Sequence, residues 1–408
     1  MIKFNTYNIL NILSFFINPV LSLLFSIILL INKKKVSIIL LSLSISLILV
    51  YQPLMYDTSS NFYLYYYQKG DSLYNLIAQF LHNLYGLDYY HIIFFYTFII
   101  IYTWFKPILF HINRSSNNKI YFLIILLSIA SLSYRNIMDL NRTMLSISIS
   151  FYYIFYINYK HKDNLLNFIL FSIISLLIHP VSIIIYIFLL LSKKIKSINM
   201  YILYILFCFF IGLFFSSVIK NISSVTSSYD NYIFNTISYY LNSEKWGEIN
   251  YTFNFLLRKI IELTICLLTI YISFKEKKKN NNQNNFLYNL IILISGICLL
   301  FMDFKTFFER IFLILNLFYI SLYFYKKSLN ITDIILSILI IIYFFSINFI
   351  VYGKVFNTEY NEIIPNNESR FSIQIKPFYY PTIYLLNIDN GYSDEYISTH
   401  STWGNNNQ

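Results

Sequence analysis

Three charged residues in the segment SYRNIMDLNRTMLSISIS, namely Arg135, Asp139 and Arg142, recur at i, i+4 and i+7, a spacing that predicts one shared helical face. Two guanidiniums so placed make a planar, many-donor fork suited to a phosphate or pyrophosphate, with the aspartate holding their planes apart. A salt-bridge triad that anchors the helix at an interface is the other reading of the same residues. His179, followed by Pro180, interrupts a long apolar stretch. An imidazole with an ordinary pKa near ~6.5 can take or give a proton at neutral pH, or it can serve as a hydrogen-bonded structural group. Glu309 and Arg310 open a late apolar run, just after Asp303 and Lys305. Neighbours on a helix point about 100° apart, so only one of the pair need face inward. Arg310 is the choice for an anion contact, and Glu309 the candidate acid–base group. Asp57 opens the aromatic segment YDTSSNFYLYYYQKGDSLYNLIAQFLHNLYG, where Tyr63 and Tyr66 can stack on sugar faces or belong to an interfacial aromatic belt. Glu262, one turn after Arg258, pairs with it.

These residues need elements to hold them, and the composition states what kind. Of 408 residues 57% are hydrophobic and 12% charged, far from the roughly one-quarter charge of a soluble domain. Apolar runs at 8–31, 36–51, 90–105, 120–133, 143–159, 199–219, 256–274, 286–303, 307–325 and 331–351 approach or exceed the ~20 residues that cross a bilayer as a helix. The predicted fold is therefore an all-α, polytopic transmembrane bundle of about ten full spans. The +11 charge lies in short clusters between runs: Lys33 to Lys35; Lys106, Arg114 and Lys119; Lys160 and Lys162; Lys193, Lys194 and Lys196; Lys275 with Lys277 to Lys279; Lys326 with Lys327. Such clusters are topology determinants rather than a nucleic-acid surface, and all six belong in the cytoplasm. That holds only if 165–191, broken at His179-Pro180, enters and leaves on one face. Its arms of 14 and 11 residues reach only about 21 and 16 Å, so a re-entrant hairpin with His179 at its buried tip is expected. A single kinked helix over 165–191 is the competing arrangement.

The division that follows is a bundle over 1–351, with outer loops at 52–89 and 220–255, and an irregular, Asn-rich extracytoplasmic tail over 352–408 with short strands. Both termini are expected outside, and the first helix is retained because no small-residue cleavage site follows it. Within 52–89, residues 72–86 form an amphipathic helix on the membrane surface. Cys208, Cys266 and Cys298 fall inside apolar runs and read as packed thiols, with no disulfide or metal framework indicated. The sequence carries no Walker loop, dinucleotide fingerprint or HExxH helix, so no nucleotide, metal or other cofactor is expected.

Three stretches resemble the EpsG/Wzy-type polymerases of capsule, exopolysaccharide and O-antigen. The segment from Asp57-Thr58 with its tyrosines resembles that family's acidic-aromatic segment. RNIMDLNRTMLSISISFYYIFYI, followed by SLLIHPVSIII, is similar to its arginine-helix and histidine pair. FFERIFLILNLFYISLYF is similar to its late arginine-bearing span. Together they cover residues 36–325, although LVYQPLMYD lacks the arginine expected before Asp57. The resemblance implies a glycosyltransferase of the bacterial cytoplasmic membrane that joins undecaprenyl-diphosphate-linked oligosaccharide repeats on its outer face. The arginines would meet the leaving pyrophosphate and His179 would take the acceptor proton. Membrane lipid, a flippase and chain-length regulator proteins are the partners it suggests. A lipid-linked oligosaccharide flippase and a membrane O-acyltransferase acting on surface glycans stay open, the first requiring two related halves and the second a cytoplasmic acyl-donor entrance.

Overall fold

The computed structural model describes residues 6–34, 36–52, 62, 72–113, 117–161, 164–215, 253–279, 285–351 and 368–400, and among them every regular element is a helix. Asp57, Tyr63 and Tyr66, and most of loop 220–255, lie outside the described residues. In chain order the helices are α1 (Thr6–Ile17), α2 (Pro19–Ile31), α3 (Ile38–Val50), α4 (Leu73–Tyr85), α5 (Tyr89–Ile112), α6 (Asn118–Ala130), α7 (Tyr134–Met138) and α8 (Asn141–Tyr152). There follow α9 (Leu165–Ile178), α10 (Ser182–Lys194), α11 (Ile198–Gly212), α12 (Phe253–Lys279), α13 (Asn285–Leu300), α14 (Lys305–Phe318) and α15 (Ile331–Phe345). The tail supplies α16 (Glu368–Tyr379), α17 (Thr382–Leu386) and α18 (Asp394–His400). Among the described residues two helices, Tyr89–Ile112 and Ile331–Asn348, are long and apolar enough by length and composition to cross a membrane. Leu203, Phe207 and Phe210 form an exposed apolar stripe along α11 at helical spacing.

The first expected span is broken, which corrects the reading of 8–31 as one crossing. Proline locks its own φ and pushes the preceding residue to extended backbone. Asn18, before Pro19, accordingly sits at φ −166°, ψ 138°, and its side chain caps α2 by accepting from the amides of Val20 (2.8 Å) and Leu21 (3.2 Å). The chain then folds back on itself. Asn11 on α1 donates to Ser26 Oγ (3.2 Å) and accepts from Ser22 Oγ (3.3 Å) on α2, and Lys34 Nζ lies 5.4 Å from the ring centre of Tyr7. Residue 7 therefore stands at the same end of the hairpin as Lys34, not across a span from it.

The chain divides into two compact units, Met1–Arg114 with Ser128–Ser182 and Phe344–Gln408, and Ser115–Leu127 with Ile183–Tyr343. In the first, α5 is the axis, buried along most of its length and packed against α3 and α8. The described part of the tail, 368–400, is largely helical rather than irregular and holds no strand. Tertiary hydrogen bonds supply what its sequence pattern does not. Asn18 Nδ2 donates to the carbonyls of Pro377 (2.9 Å) and Tyr380 (2.8 Å), and the Tyr51 hydroxyl to those of Leu385 (3.0 Å) and Asn387 (3.3 Å). Asp394 accepts from the Tyr89 amide at the start of α5 (2.9 Å), while its own amide donates to Asp88 (3.2 Å), so two helix N-termini are capped by each other's aspartates.

In the second unit α13 is the central helix, buried from Leu287 to Ile294 and packed against α11, α12 and α14. Its contact with α11 is close because glycine allows it: a Cβ on Gly212 would lie 2.1 Å from the Leu299 carbonyl oxygen. Lys326, expected as a loop cation, is instead buried, bonded to Asp333 and 3.4 Å from Glu276. The three cysteines are buried free thiols.

Candidate functional sites in the two units

The helix expected to carry all three residues of the arginine segment is interrupted. Arg135 lies on α7, Asp139 in the turn after it, and Arg142 in the first turn of α8, with Leu140 at φ −100°, ψ 35° between them. The i, i+4, i+7 argument for one face therefore does not apply. What fixes the junction is Asn141. Its Nδ2 donates across the break to the Ile137 carbonyl (3.0 Å) and to Thr97 Oγ1 on α5 (3.3 Å), and its Oδ1 accepts from the Tyr74 hydroxyl on α4 (3.1 Å). Tyr74 is in turn held by the Tyr96 hydroxyl, which donates to its carbonyl (2.6 Å), and by the Tyr96 ring at 4.3 Å. Tyr74, Thr97 and Asn141 are almost wholly buried, whereas Arg142 and Asp139 are half-buried. The side chain of Arg135 lies outside the described part of the structure.

His179 ends α9 in extended backbone, φ −155°, ψ 128°, as the residue before Pro180 should. Ser146, one turn along α8 from Arg142, donates to the carbonyls of Ser175 (2.9 Å) and His179 (3.3 Å). The fold thus brings Arg142 and His179 to one stretch of α8. The imidazole is half-buried and its Nδ1 accepts from the Val181 amide at 3.2 Å. A backbone amide can only donate, so the neutral ring carries its proton on Nε2. In this arrangement Nε2 is a hydrogen-bond donor, and a general-base role for it is not supported.

In the second unit Arg258 and Glu262 pair as their spacing predicts, Nε to Oε1 at 2.8 Å. The guanidinium also reaches Glu309 Oε1 at 3.0 Å, and the Tyr343 hydroxyl donates to Glu262 at 3.0 Å. Glu262 is 3% exposed, and burying a carboxylate so deeply requires this full set of partners. Lys259 stands over the Phe308 ring, 3.0 Å from its centre. Glu309 is therefore an ion-paired carboxylate bridged to a second one through Arg258, and Arg310 follows it, half-buried, on α14. Sequence reading missed Tyr74, Asn141, Ser146 and Tyr343. A buried asparagine beside an arginine in an apolar region was the one available signal.

Exposed apolar helix faces around buried ionic and polar clusters are the features of a membrane-associated helical protein. The model of the EpsG family matches residues 50–367, and the chain belongs to that family, the Wzy-type polysaccharide polymerases. Membership carries a polysaccharide-polymerase type of role, association with the membrane and a lipid-linked polysaccharide substrate. Neither a curated protein nor a solved structure matches the chain.

Proposed function

We propose that the protein transfers a growing glycan from undecaprenyl diphosphate to a hydroxyl of an incoming lipid-linked repeat unit, on the outer face of the bacterial cytoplasmic membrane. The observation that supports this best is the shared stretch of α8, where Arg142 lies one turn from the serine that holds His179. In the reaction the bond between the anomeric carbon and the diphosphate oxygen breaks and a glycosidic bond forms. Arg135 and Arg142 stabilise the charge that develops on the departing lipid diphosphate, with Asp139 orienting them and the His179 Nε2–H adding a hydrogen bond. The Asp57 carboxylate takes the acceptor proton. Tyr63 and Tyr66 stack on sugar rings. The apolar cavity of about 250 Å³ lined by Leu23, Ile27, Leu41, Ile45 and Phe105, among others, suits a stretch of the isoprenoid chain.

The lysine clusters face the cytoplasm by the positive-inside rule. Segment 52–89, loop 220–255 and the tail face outward. With α1 folded back on α2, this reading has one crossing fewer than the roughly ten full spans that segment length predicts, and Tyr7 shares the side of Lys34. The test is polymerisation by purified protein given lipid-linked repeat units. Lengthened glycan supports the reading, and repeats that cross the bilayer unextended, or return acylated, would replace it with transport or acyl transfer.

A further inference from the structure

The two arginines assigned to the diphosphate sit on different helices, so no helical repeat sets the distance between them. Something else must. The break at Asp139–Leu140 leaves the last carbonyls of α7 without intrahelical partners, and the Asn141 side chain takes the one at Ile137 (3.0 Å). That bond ties the end of α7 to the start of α8 directly beside Arg142. The amide is itself held from two other helices, by Thr97 on α5 and by the Tyr74 hydroxyl on α4. All of its polar directions are specified: Ile137 O can only accept, so the amide nitrogen faces it and the amide oxygen faces Tyr74. Tyr74 needs no hydroxyl for packing, because its ring lies against Tyr96 at 4.3 Å and its carbonyl is bonded to the Tyr96 hydroxyl. In this junction the hydroxyl bonds to Asn141, and it also meets the Tyr89 side chain at the start of α5.

We propose that Asn141, anchored by the Tyr74 hydroxyl and Thr97, is the positioning residue that sets Arg142 relative to the helix carrying Arg135. This rests on the reading of Arg142 as a diphosphate contact. Tyr74 lies on α4, whose sequence marks it as the amphipathic helix of the outer segment, so the lock also joins that segment to the arginine site.

Tyr74→Phe removes the hydroxyl and keeps the ring. One buried acceptor then goes unpaired beside the arginine, and a fall of about ten-fold in kcat/KM for the lipid-linked substrate is expected, at normal protein level. The decisive readout is a double-mutant cycle with Arg142→Lys. If the hydroxyl acts through Arg142, the lysine variant loses much less activity in the Tyr74→Phe background than in the parent, so the two effects do not multiply. Parental activity of Tyr74→Phe, or losses that multiply, would overturn the positioning role while leaving an impaired Arg142→Lys to support the diphosphate contact. Parental activity of Arg142→Lys alone would remove the contact, and the positioning role with it. Should Tyr74→Phe fail to accumulate, Thr97→Val removes the opposite anchor with little change of shape and is read by the same cycle.

Discussion

Asn18 carries an unusual share of the first unit's connectivity for one neutral side chain, and replacing it should be costly in a way that can be dissected. The residue is 6% exposed; its oxygen caps α2 through the Val20 and Leu21 amides, and its nitrogen serves the carbonyls of Pro377 and Tyr380. Loss of the cap is worth about 1 kcal/mol. Two buried carbonyls left without their donor add about 1 kcal/mol each, so Asn18→Ala should lower stability by about 3 kcal/mol. Asn18→Asp separates the two contributions. Aspartate caps as well as asparagine, so if the cap were the whole role this variant would match the parent. The structure instead sets the new carboxylate against two carbonyl oxygens with no donor left, and stability should fall at least as far as in the alanine variant. Thermal unfolding in detergent gives the stability, and limited proteolysis between α15 and α16 reports release of the tail. Parental stability for Asn18→Asp, with a loss of only about 1 kcal/mol for Asn18→Ala, would refute the tail contact and leave the cap alone.

Gly212→Ala drives a Cβ into the Leu299 backbone, so α11 and α13 must separate; a loss of about 1–3 kcal/mol is expected in the same unfolding assay, against no loss if the helices do not meet there. Arg258→Ala leaves Glu262 buried without its cation and should cost about 3 kcal/mol, whereas Arg258→Ala combined with Glu262→Leu should recover most of it. A tag placed before Thr6 should be reached only from the cytoplasm, like a cysteine introduced at Asn282, while one at Ser398 should be reached only from outside. Detection of the N-terminal tag from outside would contradict the fold-back of α1 on α2.

Lengths of apolar runs and lysine clusters made the helices legible, because both follow from hydrocarbon thickness and loop charge, which need no tertiary information. The pairing of Arg258 with Glu262 was legible for the same reason, being one helical turn. Asn18-Pro19 and His179-Pro180 carry the same break signal, yet only the second was read as a break. The run 8–31 was long enough to satisfy a single crossing, and length outweighed proline chemistry. The interruption at Asp139–Leu140 has neither proline nor glycine to announce it. It is stabilised from outside by Asn141, whose partners on α4 and α5 are distant in sequence. The Arg258–Glu309 bond and the tail helices were hidden likewise, since each depends on groups brought together only by folding.

The central claim is chemical and one reconstitution tests it most directly. Purified protein is supplied with a polyprenyl-diphosphate-linked oligosaccharide, and glycan length is followed for the parent and for Arg142→Lys at equal protein amounts. Lysine keeps the charge and loses the planar fork, so the account predicts a ladder of lengthened products from the parent and a deficit of about 2–4 kcal/mol in transition-state stabilisation, thirty-fold or more in rate, from the variant. Unextended repeats from the parent, or an undiminished ladder from Arg142→Lys, would contradict it.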